Sequence, residues 1–204
     1  MRIHKLNLAG AVATVAAVVA LGAGTAWAAA TWTVANGGAG LPFTQVGTST
    51  MKDTSTGDTL SCTGGSGTIN IPNGAGLNGN GIGSIATIGF TGCTGPLSIS
   101  FTVTPGSTLW TLNAFSYDNS TGITDGTITN VDAKLAGVLC TAEITGTVDA
   151  SYKNSTGTLV VSPNGNLLTV KSATCLGVLK AGDVVQFNGT YRLNNTPYVQ
   201  ITSP

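Results

Sequence analysis

The sequence predicts an all-β extracellular domain, an antiparallel sandwich or a small barrel, stapled by two disulfides. Three observations carry this. Long stretches alternate apolar and polar residues with period 2, four cysteines stand in an otherwise charge-poor chain, and the first residues read as an export signal.

The signal comes first. Arg2, His4 and Lys5 form a basic start, Leu8 to Leu21 an apolar run, and Ala26-Trp27-Ala28 a small-x-small cleavage site. The run is shorter and differently flanked than a membrane span requires. Without a twin arginine the general secretory route is expected, and without a cysteine after the run no lipid anchor is. The reading is a cleaved signal at 1–28 and a single domain at 29–204, secreted or associated with the cell surface, with no membrane span after cleavage.

Cleavage removes His4, the single histidine, and leaves a small acidic excess. Charged residues make up 8% of the chain, against roughly 25% in an ordinary globular protein. With 42% hydrophobic residues the chain is too apolar for disorder. Its surface is expected to be Thr, Ser, Asn and Gly. No basic patch exists to neutralise phosphates, which argues against nucleic acid as a partner.

Cys62, Cys93, Cys140 and Cys175 allow three disulfide pairings. The favoured one is Cys62–Cys93 with Cys140–Cys175, because each closes a loop within one half of the chain. A metal site is disfavoured, since no two cysteines are close in sequence and no histidine survives.

Strands follow in order. Leu97–Thr104, Ala142–Tyr152 and Val185–Leu193 alternate strictly, as half-buried antiparallel strands do. Weaker candidates are Trp32–Ala35, Thr59–Cys62, Thr68–Ile71, Ile85–Phe90, Leu109–Tyr117, Thr127–Val131, Thr158–Val161, Leu167–Lys171 and Tyr198–Ile201. Asn-Gly pairs at 36–37, 73–74, 78–79, 80–81 and 164–165 mark tight turns. The pair at 188–189 falls inside a good strand and reads as a bulge. Val131–Cys140 offers at most a short turn of helix. Many short strands with frequent turns read as a sandwich first and a small barrel second.

Three motif matches fail on context. Gly74-Ala-Gly76-Leu-Asn-Gly79 is a GxGxxG string, but Asn80-Gly81-Ile82-Gly83 follows in place of a helix, so it reads as a flexible loop. Ser49-Thr-Met-Lys52 matches SxxK, yet runs into a turn instead of a buried helix. Leu41-Pro-Phe-Thr-Gln45 resembles a cell-wall sorting signal at the wrong end of the chain and reads as a proline turn.

Catalytic groups are scarce. Without histidine no Ser–His or Cys–His pair can form. Glu143 is the one glutamate, on a polar strand face, and the aspartates sit mostly in turns. A carboxylate hydrolase remains the residual enzyme reading. Asp118, Asn119, Asp125 and Asp132 offer oxygens for Ca²⁺, but their spacing fails the EF-hand pattern, so the expectation is a solvated hairpin tip, no metal and no cofactor. Trp110, Phe115 and Tyr117 are the candidate ligand-binding residues. On a regular strand Phe115 and Tyr117 both oppose Trp110, so one face should expose an aromatic able to stack on a sugar or an apolar molecule.

Several segments carry a resemblance: Trp32-Thr-Val, Thr56-Gly-Asp-Thr-Leu-Ser-Cys62, Gly89-Phe-Thr-Gly-Cys-Thr-Gly-Pro96, Leu109-Trp-Thr-Leu-Asn-Ala114 and Gln200-Ile-Thr-Ser-Pro204. Together they resemble an uncharacterised set of small secreted actinobacterial β-proteins. The Cys-bearing strands and the Leu-Trp segment are more distantly similar to secreted proteins labelled activators of alkane oxidation. The resemblance implies secretion and a β fold, and brings no catalytic residue. The function expected from the sequence is a non-enzymatic extracellular or envelope surface protein. The alternative is a binding module for a carbohydrate or apolar ligand. Its candidate partners are a cell-wall glycan, an apolar ligand or other surface proteins.

Overall fold

A computed structural model describes residues 31–106, 109–138, 140–165, 167–175 and 177–204. The signal expected at 1–28 lies outside the described residues. Fourteen strands follow in order: β1 Thr31–Ala35, β2 Gly38–Gln45, β3 Ser49–Asp53, β4 Thr59–Ile71, β5 Gly74–Asn78, β6 Gly83–Thr94, β7 Ser100–Pro105, β8 Trp110–Asp118, β9 Ile123–Gly137, β10 Cys140–Lys153, β11 Thr158–Val161, β12 Leu167–Thr174, β13 Val184–Leu193 and β14 Gln200–Thr202. All pairings are antiparallel.

The ladders close. β4 pairs β6, β6 pairs both β7 and β8, these pair β9, and β9 pairs β10. β10 pairs β11 and β12, both of which pair β13. β13 returns to β2 and β3, which pair β4. Since β2/β3, β7/β8 and β11/β12 each share one place in the ring, the result is an up-and-down barrel of eight positions. Of the two architectures the alternation permits, hydrogen bonding selects the barrel.

Alternation decides what fills it. Phe43, Leu60, Ile69, Ile85, Leu135, Ile144, Val161, Leu168, Val185 and Tyr191 are all buried. Each such side chain stabilises the fold by about 1.5–3 kcal/mol. Thr68 and Thr87 face outward on paired strands, where their hydroxyls bond at 2.9 Å.

The disulfides are Cys62–Cys93 and Cys140–Cys175. Cys93 stands opposite Phe101, Phe101 opposite Gly137, and Gly137 opposite Cys140. Both bridges therefore staple the same end of the barrel. The other end is capped by the sheet β14–β1–β5. The Tyr152 hydroxyl donates to the Val199 carbonyl (3.0 Å). Asn154 donates through Nδ2 to the Ile201 carbonyl (2.9 Å) and accepts from its N–H (3.0 Å). Thr124 also donates to that carbonyl (3.1 Å). Trp32, 2% exposed, packs beneath the cap. A Cβ on Gly79 would collide with its indole.

Several expectations need correction. Gly74–Asn78 is not a flexible loop but β5, because its backbone pairs with β1 whatever its side chains. Pro42 lies in β2 and not in a turn. Its N and O face the end of β13, where one bond from the Asn194 N–H (2.9 Å) suffices and no donor is needed. Val131–Gly137 is strand, with Val131 and Leu135 buried by alternation. No register shift falls at Asn188–Gly189. The irregularity lies on the neighbouring strands, between β2 and β3, where Gly47 takes φ 74°. Leu97 and Ser98 form a single 3₁₀ turn, so that strand begins at Ser100.

Candidate functional site

The barrel is incompletely filled. A cavity of ≈ 90 Å³ occupies the half nearer the disulfides and another of ≈ 60 Å³ the half beneath the cap. Phe43, Ile128, Leu159 and Tyr191 border both and divide them. The Phe43 and Tyr191 rings meet edge to face, centroids 5.7 Å apart. The larger cavity is walled by aliphatic and aromatic side chains with Ser49 and Thr50 as polar exceptions. No charged residue borders either one.

Two side chains that border the larger cavity each carry a buried donor without a partner. Trp110 Nε1 and the Tyr191 hydroxyl are buried without hydrogen bonds. Ser49 lies near the phenol and offsets a little of its burial. It is outside hydrogen-bond geometry, however, and its own hydroxyl is given to Gln45 Oε1 at 3.2 Å. Buried polar groups are nearly always paired, so each exception calls for a reason.

The backbone ladder is interrupted beside Trp110 among the described residues. β6 pairs β8 at Gly83–Ile85 and β7 at Cys93–Thr94, with no ladder partner on that side for residues 86–92 among the described residues. Outside this gap lies a depression of ≈ 250 Å³ bordered by Ala86, Thr87, Pro105 and Gly106. Ile85, Ile88 and Trp110 border both it and the inner cavity. Trp110 thus stands between the interior and the outside.

The three candidate binding residues do not form one surface. Trp110 is buried at 8% and faces inward, and Phe115 faces outward at 61% exposure. Tyr117 corrects the expectation. It lies on Trp110's side, opposite the buried Thr124, and packs against the core. The register shift between Ala114 and Ser116 makes Phe115 a bulge and reverses the alternation beyond it. Trp32 and Trp110 are both buried, so no exposed tryptophan is left for stacking among the described residues.

The other candidates are occupied locally. Asp118 accepts from Ser120 N (2.8 Å), Ser120 Oγ (2.7 Å) and Thr121 Oγ1 (2.8 Å), and these bonds hold its carboxyl below the usual range. Asp125 accepts from Ser116 at 3.4 Å. No group of three or more metal-ligating side chains occurs among the described residues. Glu143 pairs with Lys171 at 2.7 Å, which keeps its carboxyl acidic. Sequence reasoning missed one carboxyl pair. Asp53, fully buried, accepts from Ser55 N (2.6 Å) and lies against Asp183, whose Oδ2 accepts from Lys180 N (2.7 Å). The Lys180 bond is the chief cause of Asp183's lowered pKa. Neither carboxyl borders a cavity. Ser49 and Lys52, of the SxxK string, point to opposite faces of β3.

Burial pushes the phenols of Tyr152 and Tyr191 well above their ordinary value, so the fold keeps both neutral. Their contribution is fully present below about pH 10, where unfolded phenols begin to ionise, and is lost above it. Stability should then fall by about 2.7 kcal/mol per pH unit while both resist ionisation. Phenolate absorbance and circular dichroism followed together check this. Tyr152→Phe or Tyr191→Phe should halve the slope, and full ionisation of all four tyrosines with the β signal intact would contradict it.

No protein-family model, curated protein or solved structure matches this chain.

Proposed function

We propose that the protein is an exported binding module that holds a small apolar molecule inside the barrel. The observation that carries this reading is the uncharged interior cavity, with Trp110 between it and the outer depression. Eight-position barrels are either just filled by side chains or hold one small ligand, and this one retains space. Export is supported by the amino-terminal signal pattern and by two disulfides, which persist in oxidising compartments. No helix among the described residues is long and apolar enough to cross a membrane. A glycan platform has less support, because Trp110 and Tyr117 face inward and leave Phe115 alone outside.

The test is calorimetric titration of the oxidised, secreted protein with ethylbenzene, paired with a thermal melt. Saturable binding at one site is expected. At a hundredfold excess over the dissociation constant it adds about 2.7 kcal/mol, or roughly 5–10 °C in Tm for a domain of this size. Ala133→Leu places a larger side chain in the cavity wall and should abolish binding while leaving the β spectrum intact. Failure of ethylbenzene to bind, or binding of soluble cell-wall glycan fragments that is lost in Phe115→Ala, would overturn the interior site.

A further inference from the structure

We propose that Asp53 and Asp183 share a single proton, and that this pair is a pH-sensitive latch where β3 meets β13.

Asp53 ends β3, Asp183 immediately precedes β13, and the two strands pair with Val185 opposite Asp53. The junction runs one residue further, because the Thr54 N–H and hydroxyl both donate to the Val184 carbonyl (3.0 and 2.9 Å). Asp53 is fully buried. Its Oδ1 accepts from the N–H groups of Ser55 (2.6 Å) and Thr56 (3.3 Å), while its Oδ2 is buried with no partner. The Ser55 hydroxyl donates to Asp183 Oδ1 (3.3 Å) and the Lys180 N–H to Asp183 Oδ2 (2.7 Å). The two carboxyls lie within hydrogen-bonding reach of each other.

An ionised carboxyl can only accept. Two ionised carboxyls in contact repel, and the buried one would keep an oxygen unpaired away from water. One proton removes both penalties. Asp53 Oδ2 then donates to Asp183, whose charge is held by the Lys180 N–H and by Ser55. No other charge replaces that proton. Lys180, from the loop before β13, attracts Asp183 only weakly. Lys52 is exposed on the opposite face of β3, and Asp58, at the far end of the hairpin, meets Asp53 through its backbone carbonyl (2.9 Å). No ion pair reaches Asp53 among the described residues.

Above about pH 4, the ordinary carboxyl value, the unfolded chain has released both protons while the folded pair keeps one. The pair's contribution is therefore complete below that value and is lost as pH rises. The bonds that hold Asp118, Asp183 and Glu143 acidic act with the opposite sign, and their contribution is complete above about pH 5.5. The single histidine, His4, lies in the expected export signal. No other side chain of the mature chain ordinarily titrates between about pH 5.5 and 7, so a slope in that window belongs to the pair.

Urea unfolding of the mature, oxidised protein between pH 5.5 and 7 tests this, beside Asp53→Asn, whose amide donates to Asp183 without a titrating proton. The folding equilibrium constant of the parent should fall about tenfold per pH unit, and that of the variant should stay constant within about twofold. A flat parent profile, or an equal slope in both proteins, would overturn the proposal. If Asp53→Asn does not fold, the carboxyl carbon resonances of the parent decide. At pH 6 one aspartate should still report a neutral carboxyl, and ionised signals from every aspartate would refute the shared proton. The parent is also unfolded at pH 7 in millimolar calcium and in chelator. Equal midpoints are expected, and a rise with calcium would show that a metal ion, not a proton, joins the pair.

Discussion

Replacing all four cysteines with alanine is expected to leave the chain unfolded or barely folded. The bridges span 31 and 35 residues. By loop entropy each removes about 3.7 kcal/mol of disorder from the unfolded chain. Together they contribute about 7 kcal/mol, comparable to the whole net stability of an ordinary domain. Each single-bridge variant should still fold. With a urea slope of about 2 kcal/mol per molar, its midpoint should drop by about 2 M. Urea titrations of the three variants check this. A four-alanine protein whose midpoint lies within about 0.5 M of the parent would show that the barrel needs neither bridge.

Trp32→Ala should be the most damaging single substitution in the cap, costing about 3–5 kcal/mol. The indole is 2% exposed and lies against Gly79, whose missing Cβ is what lets the chain approach it. Removing it leaves a void that β1 and β5 cannot collapse into without breaking their own ladder. The polar clasp from Tyr152, Asn154 and Thr124 would still hold the segment from Val199 to Ile201. Loss of amide protection should therefore concentrate in β1 and β5, with β14 and the disulfide end keeping theirs. Hydrogen exchange and chemical denaturation report both quantities. A loss under about 1.5 kcal/mol with cap amides still protected would mean that Trp32 does not anchor the cap.

What the sequence made legible follows from what period 2 encodes. Alternation in Ala142–Tyr152 and Val185–Leu193 marks strands with one buried face, and the even cysteine count in a chain with an export pattern marks local bridges. Closure is not encoded there, because a sandwich and a barrel present the same alternation. β2, β3 and β5 were hidden by glycine, proline and polar residues. Their pairing is done by backbone, which composition does not report. The site was legible only in part. Trp110 stood out as an aromatic on a strand, but which way it faced, and that Tyr117 shares its side, depends on the bulge at Phe115. Nothing in Asn113-Ala-Phe-Ser-Tyr117 announces that bulge. The unpaired Nε1 is a property of surroundings drawn from β6, β8 and β9, which no local pattern contains.

The closed ring has one seam. Every other ladder of the ring joins elements near one another in the chain, while β13 must find β2 and β3 across a span shown by the Thr44–Asn194 bond, 150 residues apart. Loop entropy favours hairpins forming first and the seam closing last, since the entropy of the large loop is recovered only when its edges meet. Neither disulfide crosses the seam, yet both lie between its edges and together bypass 31 and 35 residues of that span. By loop closure alone this shortcut lowers the cost of joining the edges by about 0.5 kcal/mol. A chain whose bridges form early thus meets a smaller search when its first and last wall strands come together.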